Sequence, residues 1–83
     1  MPRQITLYSK PDCHLCHEVR DMLLRLHAQY PLTLREVDIR TDPLLWDRYR
    51  YAIPVLVFES GLELEAPIRE SEVRAVLRDS STG

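Results

Sequence analysis

The sequence predicts a mixed α/β domain whose elements run β-α-β-α-β-β-α. Three observations carry that expectation. Apolar residues recur at Leu15, Val19, Met22, Leu23 and Leu26, the spacing of one helix face. Val55-Leu56-Val57-Phe58 is a short unbroken apolar run of the kind found in buried strands. Thr41-Asp42-Pro43 combines a capping side chain with a proline at the first helical position, a helix-start signal.

Taken in order, Ile5 to Tyr8 reads as the first strand, with Ile5 and Leu7 on one face. Ser9-Lys10-Pro11-Asp12 is the connecting loop, and Asp12 or Ser9 is placed to accept hydrogen bonds from the next helix start. The apolar face of that helix extends to Tyr30, Asp21 and Arg25 are spaced as an i,i+4 ion pair on its wet side, and Pro31 stops it. A second strand lies within Leu32 to Ile39. Asp42 caps a short helix from Pro43 to Tyr49. Val55–Phe58, the turn Glu59-Ser60-Gly61 and Leu62 to Leu64 form an antiparallel hairpin. The last helix runs from about Glu70 to Arg78, with Val73, Val76 and Leu77 on one side, and Ser80 to Gly83 reads as a frayed tail. The first two strands, joined through a helix, are expected to be parallel. Residues 1–83 are expected to form a single domain with a mixed sheet covered on both faces.

Eighty-three residues lie near the size at which a hydrophobic core becomes marginal. The net charge is −2 with both signs interspersed, so no basic footprint points to nucleic acid. No apolar run approaches membrane-spanning length. The first strand begins directly after Met1-Pro2-Arg3-Gln4, without the apolar core of a signal peptide, and this leads us to expect a cytoplasmic, reducing setting. A structural disulfide is uncommon in that setting, whereas redox catalysis or metal binding is a frequent use of paired cysteines.

The only two cysteines form Cys13-His14-Leu15-Cys16, where the first strand gives way to the first helix. Unpaired N–H groups and the helix dipole stabilise an anion at that position, so a thiolate there becomes a usable nucleophile. The spacing points to thiol–disulfide chemistry. A protonated His14 would help stabilise the Cys13 thiolate; a solvated histidine of little effect is the alternative. Lys10 is placed to do the same or to bind a substrate carboxylate, or it is an ordinary loop lysine. Two other readings of the motif stay open. A structural zinc site needs four ligands, and only His14, His17 and His27 stand beside the cysteines. Cys13-His14-Leu15-Cys16-His17 also matches the haem attachment pattern C-x-x-C-H, which requires export and a further axial ligand. Trp46, Tyr49 and Tyr51 are core or groove-lining residues.

At this point the chain resembles the thioredoxin fold and, within it, the glutaredoxins. The resemblance rests on the Cys-x-x-Cys pair opening the first helix, on Lys10 three residues before Cys13, and on Ile53-Pro54 just before the third strand. It covers about Gln4 to Arg78 and is nearest to small bacterial glutaredoxin-like proteins with a Cys-x-Leu-Cys centre. It implies a four-stranded mixed sheet flanked by three helices. It also implies Cys13 as the attacking thiolate and Cys16, which lies with Val19 and Leu23 on the inward edge of the helix and is expected to be the more buried, as the resolving thiol. Lys10, His14, Leu15, Ile53 and Pro54 would meet substrate, and a cis Ile53–Pro54 bond would offer the Ile53 N–H and C=O to an extended chain. No bound cofactor or metal is implied. Glutathione would serve as reductant or co-substrate, or a thioredoxin-reductase-type flavoenzyme would supply electrons, and the protein would act as a monomer on a disulfide-containing protein or on glutathione mixed disulfides. A cluster bridged between two chains with glutathione, known in some glutaredoxins, is a further implication. The sequence departs from the family in one stretch. Leu62-Glu63-Leu64-Glu65-Ala66-Pro67 stands where glutathione-binding members have Gly-Gly and Asp, leaving Lys10 and Arg48 or Arg50 to meet a carboxylate. The rival functional class is a non-enzymatic binding module on the same fold, or a protein that holds metal through the same cysteines.

Overall fold

Alternation along two central strands sets the layering. In the computed structural model, which describes residues 3–82 and side chains through Asp79, strands β1 (Arg3–Ser9), β2 (Leu32–Asp38), β3 (Val55–Phe58) and β4 (Glu63–Glu65) form one sheet in the order β2-β1-β3-β4. β1 and β2 are parallel, with Arg3 opposite Leu32 and Ser9 opposite Asp38. β1 and β3 are antiparallel, pairing Ile5 with Phe58 and Leu7 with Leu56, and β3 and β4 close the hairpin. The hairpin turn uses Gly61 at φ +93°, a conformation that costs glycine little.

Helices α1 (His14–Leu26) and α3 (Glu70–Thr82) cover one face of the sheet. Ile5, Leu7, Leu56 and Phe58 meet Val19, Met22, Leu23 and Leu26 of α1 and Val73 and Leu77 of α3 in the main core. The other face carries Tyr8, Val55 and Val57, and among the described residues the short helix α2 (Pro43–Tyr49), the 3₁₀ turn Ile39–Thr41 and the Ala52-Ile53 segment cover it. That smaller core centres on Ile39, Tyr49 and Val55. Asp42 caps α2 as expected, its carboxylate accepting from Leu44 N–H at 2.9 Å.

Several local expectations are corrected. α1 ends at Leu26, and Tyr30 reaches the core from the following turn, with its N–H donating to Leu26 O at 2.9 Å. Arg25 does not pair with Asp21. It reaches Glu70 at 3.1 Å, because α3 packs alongside α1 and brings a carboxylate that also meets Arg74 at 3.0 Å. Asp21 faces Arg20 instead. The helical backbone of α3 continues through Thr82, past the expected end near Arg78. Of the expected tail, Gly83 and the side chains of residues 80–82 lie outside the described residues. Among the described residues no helix is long and apolar enough to cross a membrane.

Candidate active site

The turn Lys10–Asp12 decides how α1 starts. Cys13 N–H donates to Lys10 O at 3.2 Å, which leaves Cys13 extended (φ −94°, ψ 104°) at the N-cap. Its sulfur then accepts the Cys16 N–H at 3.1 Å. The capping role expected of Asp12 or Ser9 therefore falls to Cys13 itself. Asp12 is exposed and lies 3.9 Å from Lys10, while Ser9 is buried and its hydroxyl donates to Glu36 at 2.9 Å. An N–H aimed at sulfur at a helix N-terminus is a setting that favours a thiolate.

Cys13 and Cys16 are joined in a disulfide, their Cα atoms 5.2 Å apart, within the span such a bond requires. Their surroundings differ. Cys16 is completely buried, whereas Cys13 is partly open to solvent. The asymmetry follows from helix phase, since Cys16 lies on the inward face with Val19 and Leu23, and Cys13 precedes the first turn.

The other predicted site residues divide between two flanks of this helix start. Leu15, more than half exposed, and the buried Pro54 line a groove of about 280 Å³ with Val19, Met22, Pro67 and Ile68. Lys10 lies on the other flank, in a polar cleft with Ser9, His17, Arg20, Glu36 and Asp38. His14 is solvent-exposed, and its Nε2 lies 3.3 Å from Glu18 one turn on. Ile53 packs against the smaller core, and its peptide bond to Pro54 is cis, as is that between Ala66 and Pro67. The Ile53 N–H, which the resemblance offered to substrate, donates instead to Tyr49 O at 3.1 Å. The chain leaving α2 turns back on that helix, and this donor is used internally.

The electrostatics of the neighbourhood are local. Arg40 grips Asp38 through two guanidinium nitrogens, Nε and Nη2, and holds its carboxyl below the usual range. Arg48 lies over the Tyr49 ring and 3.9 Å from Glu63, and Arg50 lies over the exposed Tyr51. Of the three aromatics named from sequence, Tyr49 is buried in the smaller core, Trp46 packs against that core and borders a shallow hollow with Arg40, Pro43 and Asp47, and Tyr51 is in neither. Among the described residues, no three histidine, cysteine or acidic side chains come together as a metal site.

Sequence reasoning missed Met22 and Ile68 as neighbours of the site, whereas Pro67 closes the stretch that the resemblance sets against the glutathione-binding segment. Met22 was legible in principle, since it stands seven residues after Leu15 on the same helix face. Ile68 carried no signal, because only the packing of the β4–α3 connection brings it to α1.

A four-stranded mixed sheet with helices on both faces, and a Cys-x-x-Cys pair at the start of the first helix, define the thioredoxin-fold class. Residues 4–78 match the family described as Glutaredoxin-like domain (DUF836), and the chain belongs to that family. The crystal structure of target protein XcR50 from X. campestris is similar at 33% identity and a TM-score of 0.78, covering 90% of this chain and 96% of that one. Protein Ne2328 from Nitrosomonas europaea is similar at 26% identity and a TM-score of 0.80, covering 93% of each chain. Oxidised thioredoxin O2 from Arabidopsis thaliana shares the fold at 21% identity and a TM-score of 0.72, covering 94% of this chain and 74% of that one. No curated protein matches the chain.

Proposed function

We propose that this protein is a thiol–disulfide oxidoreductase that reduces disulfides through Cys13 and Cys16. The observation that carries this reading is the pair itself: a partly exposed sulfur at a helix N-cap, within bonding reach of a buried one. Family membership and the fold support it.

In the dithiol form, the Cys13 thiolate attacks a substrate disulfide. A Cys13–substrate bond forms, and the first substrate sulfur leaves as a thiolate that takes a proton from solvent. Cys16 then loses its proton, and its thiolate attacks the Cys13 sulfur. The second substrate thiol is released and the Cys13–Cys16 disulfide remains. The substrate gains two electrons and two protons, and an external dithiol, glutathione or a reduced flavoenzyme must return them to the protein. We further propose that the protein acts in the cytoplasm, as a monomer, and that polypeptide disulfides suit it better than glutathione. Arg48, one of the cations left to meet a ligand carboxylate, is engaged instead by Glu63 of β4, 3.9 Å away.

The test is a redox titration in glutathione buffers, read by alkylation and intact mass. The expected result is one two-electron couple between Cys13 and Cys16. Cys13→Ser should lower disulfide reductase activity by at least ~100-fold, and Cys16→Ser should accumulate a mixed disulfide on Cys13, because resolution requires the second thiol. Full activity in Cys13→Ser, or cysteines that stay reduced throughout the titration, would overturn the assignment in favour of a binding module.

A further inference from the structure

Lys10 is the only lysine in the chain; the other permanent cations are arginines. A guanidinium stays protonated, whereas a lysine amine that has lost its proton is a nucleophile. The sequence therefore offers one side-chain amine for acylation, and it stands beside the more open of the two sulfurs. Lys10 and Cys13 are the first and fourth residues of a turn closed by the Cys13 N–H on Lys10 O at 3.2 Å, a geometry that keeps their Cα atoms within about 7 Å. The Lys10 side chain is 33% exposed and borders the polar cleft beside α1. It pairs with the exposed Asp12 at 3.9 Å, a contact too loose and solvated to fix a flexible four-carbon stem. Cys13 is partly open and its sulfur accepts the Cys16 N–H, whereas Cys16 is completely buried.

We infer that Cys13 takes an acyl group from a small acyl thioester and passes it to Lys10. The inference rests on the nucleophilic Cys13 proposed above and gives the same sulfur a second class of substrate. In the dithiol form, the Cys13 thiolate attacks the thioester carbonyl. A Cys13–acyl bond forms, the donor's C–S bond breaks, and the donor leaves as a thiolate that takes a proton from solvent. The uncharged Lys10 amine then attacks the same carbonyl. A C–N bond forms, the Cys13–acyl bond breaks, the nitrogen gives its extra proton to solvent, and Cys13 leaves as a thiolate. No electrons are exchanged, so neither step needs an oxidant or a reductant. Transfer runs from sulfur to nitrogen because an amide is more stable than a thioester. The second step is intramolecular, and the turn supplies the proximity that favours it over direct attack of Lys10 on the donor. Burial keeps Cys16 from competing for the donor. In the disulfide form Cys13 has no thiolate, which confines the modification to the reduced protein.

The test treats the reduced protein, in mildly alkaline buffer, with the acetyl thioester of N-acetylcysteamine. Intact mass is followed with and without hydroxylamine, which strips acetyl groups from sulfur and leaves amides in place. The expected product is a hydroxylamine-stable acetyl group that peptide mapping places on Lys10. Its formation should be at least ~10-fold slower in the disulfide form of the wild-type protein and in Cys13→Ser. The disulfide form serves as the control even if that variant does not fold. In Lys10→Arg, a hydroxylamine-labile acetyl group should instead persist on Cys13. Equal rates of Lys10 acetylation in the reduced and disulfide forms would overturn the inference, as would a labile acetyl group on wild-type Cys13 that never reaches Lys10. Disulfide reduction is measured on the same sample. A protein that reduces disulfides but takes no acetyl group on Cys13 would overturn this inference alone. Acetylation of Lys10 through Cys13 without reduction of any disulfide would support it and count against the dithiol chemistry instead.

Discussion

The two faces of the sheet hold different parts of the site with unequal strength. The face under α1 and α3 carries a continuous aliphatic core and anchors the helix that bears Cys16. The face under α2 carries a small cluster built on Ile39, Tyr49 and Val55, and it anchors the segment that delivers Ile53 and Pro54. Cys16 therefore sits on the deeply buried side, whereas the loop that would meet substrate is held by one short helix and an aromatic stack. Tyr8 and Tyr49 lie face to face with centroids 4.6 Å apart, and the Tyr49 hydroxyl donates to Glu63 at 2.8 Å. The large core holds the helix that bears Cys16, and the small core holds the segment that leads into the cis-proline.

Leu23→Ala should have the largest effect on that contrast. Leu23 is fully buried between α1 and the sheet, and truncating such a leucine costs about 2–5 kcal/mol, a large share of the roughly 5–15 kcal/mol typical of a domain. A urea melt of the reduced protein should show a marked loss of midpoint; a change smaller than ~1 kcal/mol would mean that α1 is not anchored as described.

Tyr49→Phe should come next, at about 1–2 kcal/mol, because it removes a partly buried hydrogen bond to a carboxylate and keeps the ring stack. This variant also has a pH signature. Burial, and then the Glu63 contact, raise the Tyr49 phenol above its ordinary value. The resulting stabilisation is complete below the unfolded phenol pKa of about 10 and is lost as pH rises through the folded value. Wild type should therefore lose stability faster than Tyr49→Phe between pH 9 and 11. Parallel alkaline profiles for the two proteins would contradict the assignment.

Glu70→Gln should have the smallest effect. Hydrogen bonds from Arg74 and then Arg25 hold the Glu70 carboxyl below its usual range at an exposed site, where solvent screens the gain. Its stabilisation is present above the ordinary glutamate pKa of about 4.3 and disappears as pH falls through the folded value. Wild type should be slightly the more stable at neutral pH, and the two melting temperatures should converge near pH 3. A gap that persisted into acid would show that the glutamine acts through packing.

Local pattern was enough to read the element order, the two halves of the β-hairpin, the Asp42 cap and the buried side of α1. Each depends on residues only a few positions apart, through alternation, helical spacing or capping chemistry. The same logic placed Cys16 inward and Cys13 at the helix start, because helix phase follows from the apolar face alone. What local pattern could not supply was anything that depends on two distant segments meeting. The cap donated to Cys13 rather than to Asp12 depends on the closure of the Lys10–Asp12 turn. Arg25 chose Glu70 over Asp21 because α3 lies beside α1. The use of the Ile53 N–H by Tyr49 depends on how the chain leaves α2. The apolar groove joins Leu15 to Ile68 across more than fifty residues of sequence. Spacing along the chain identified the paired sulfurs. Long-range packing, whose energy is shared among many weak contacts that no short segment encodes, decided what surrounds them.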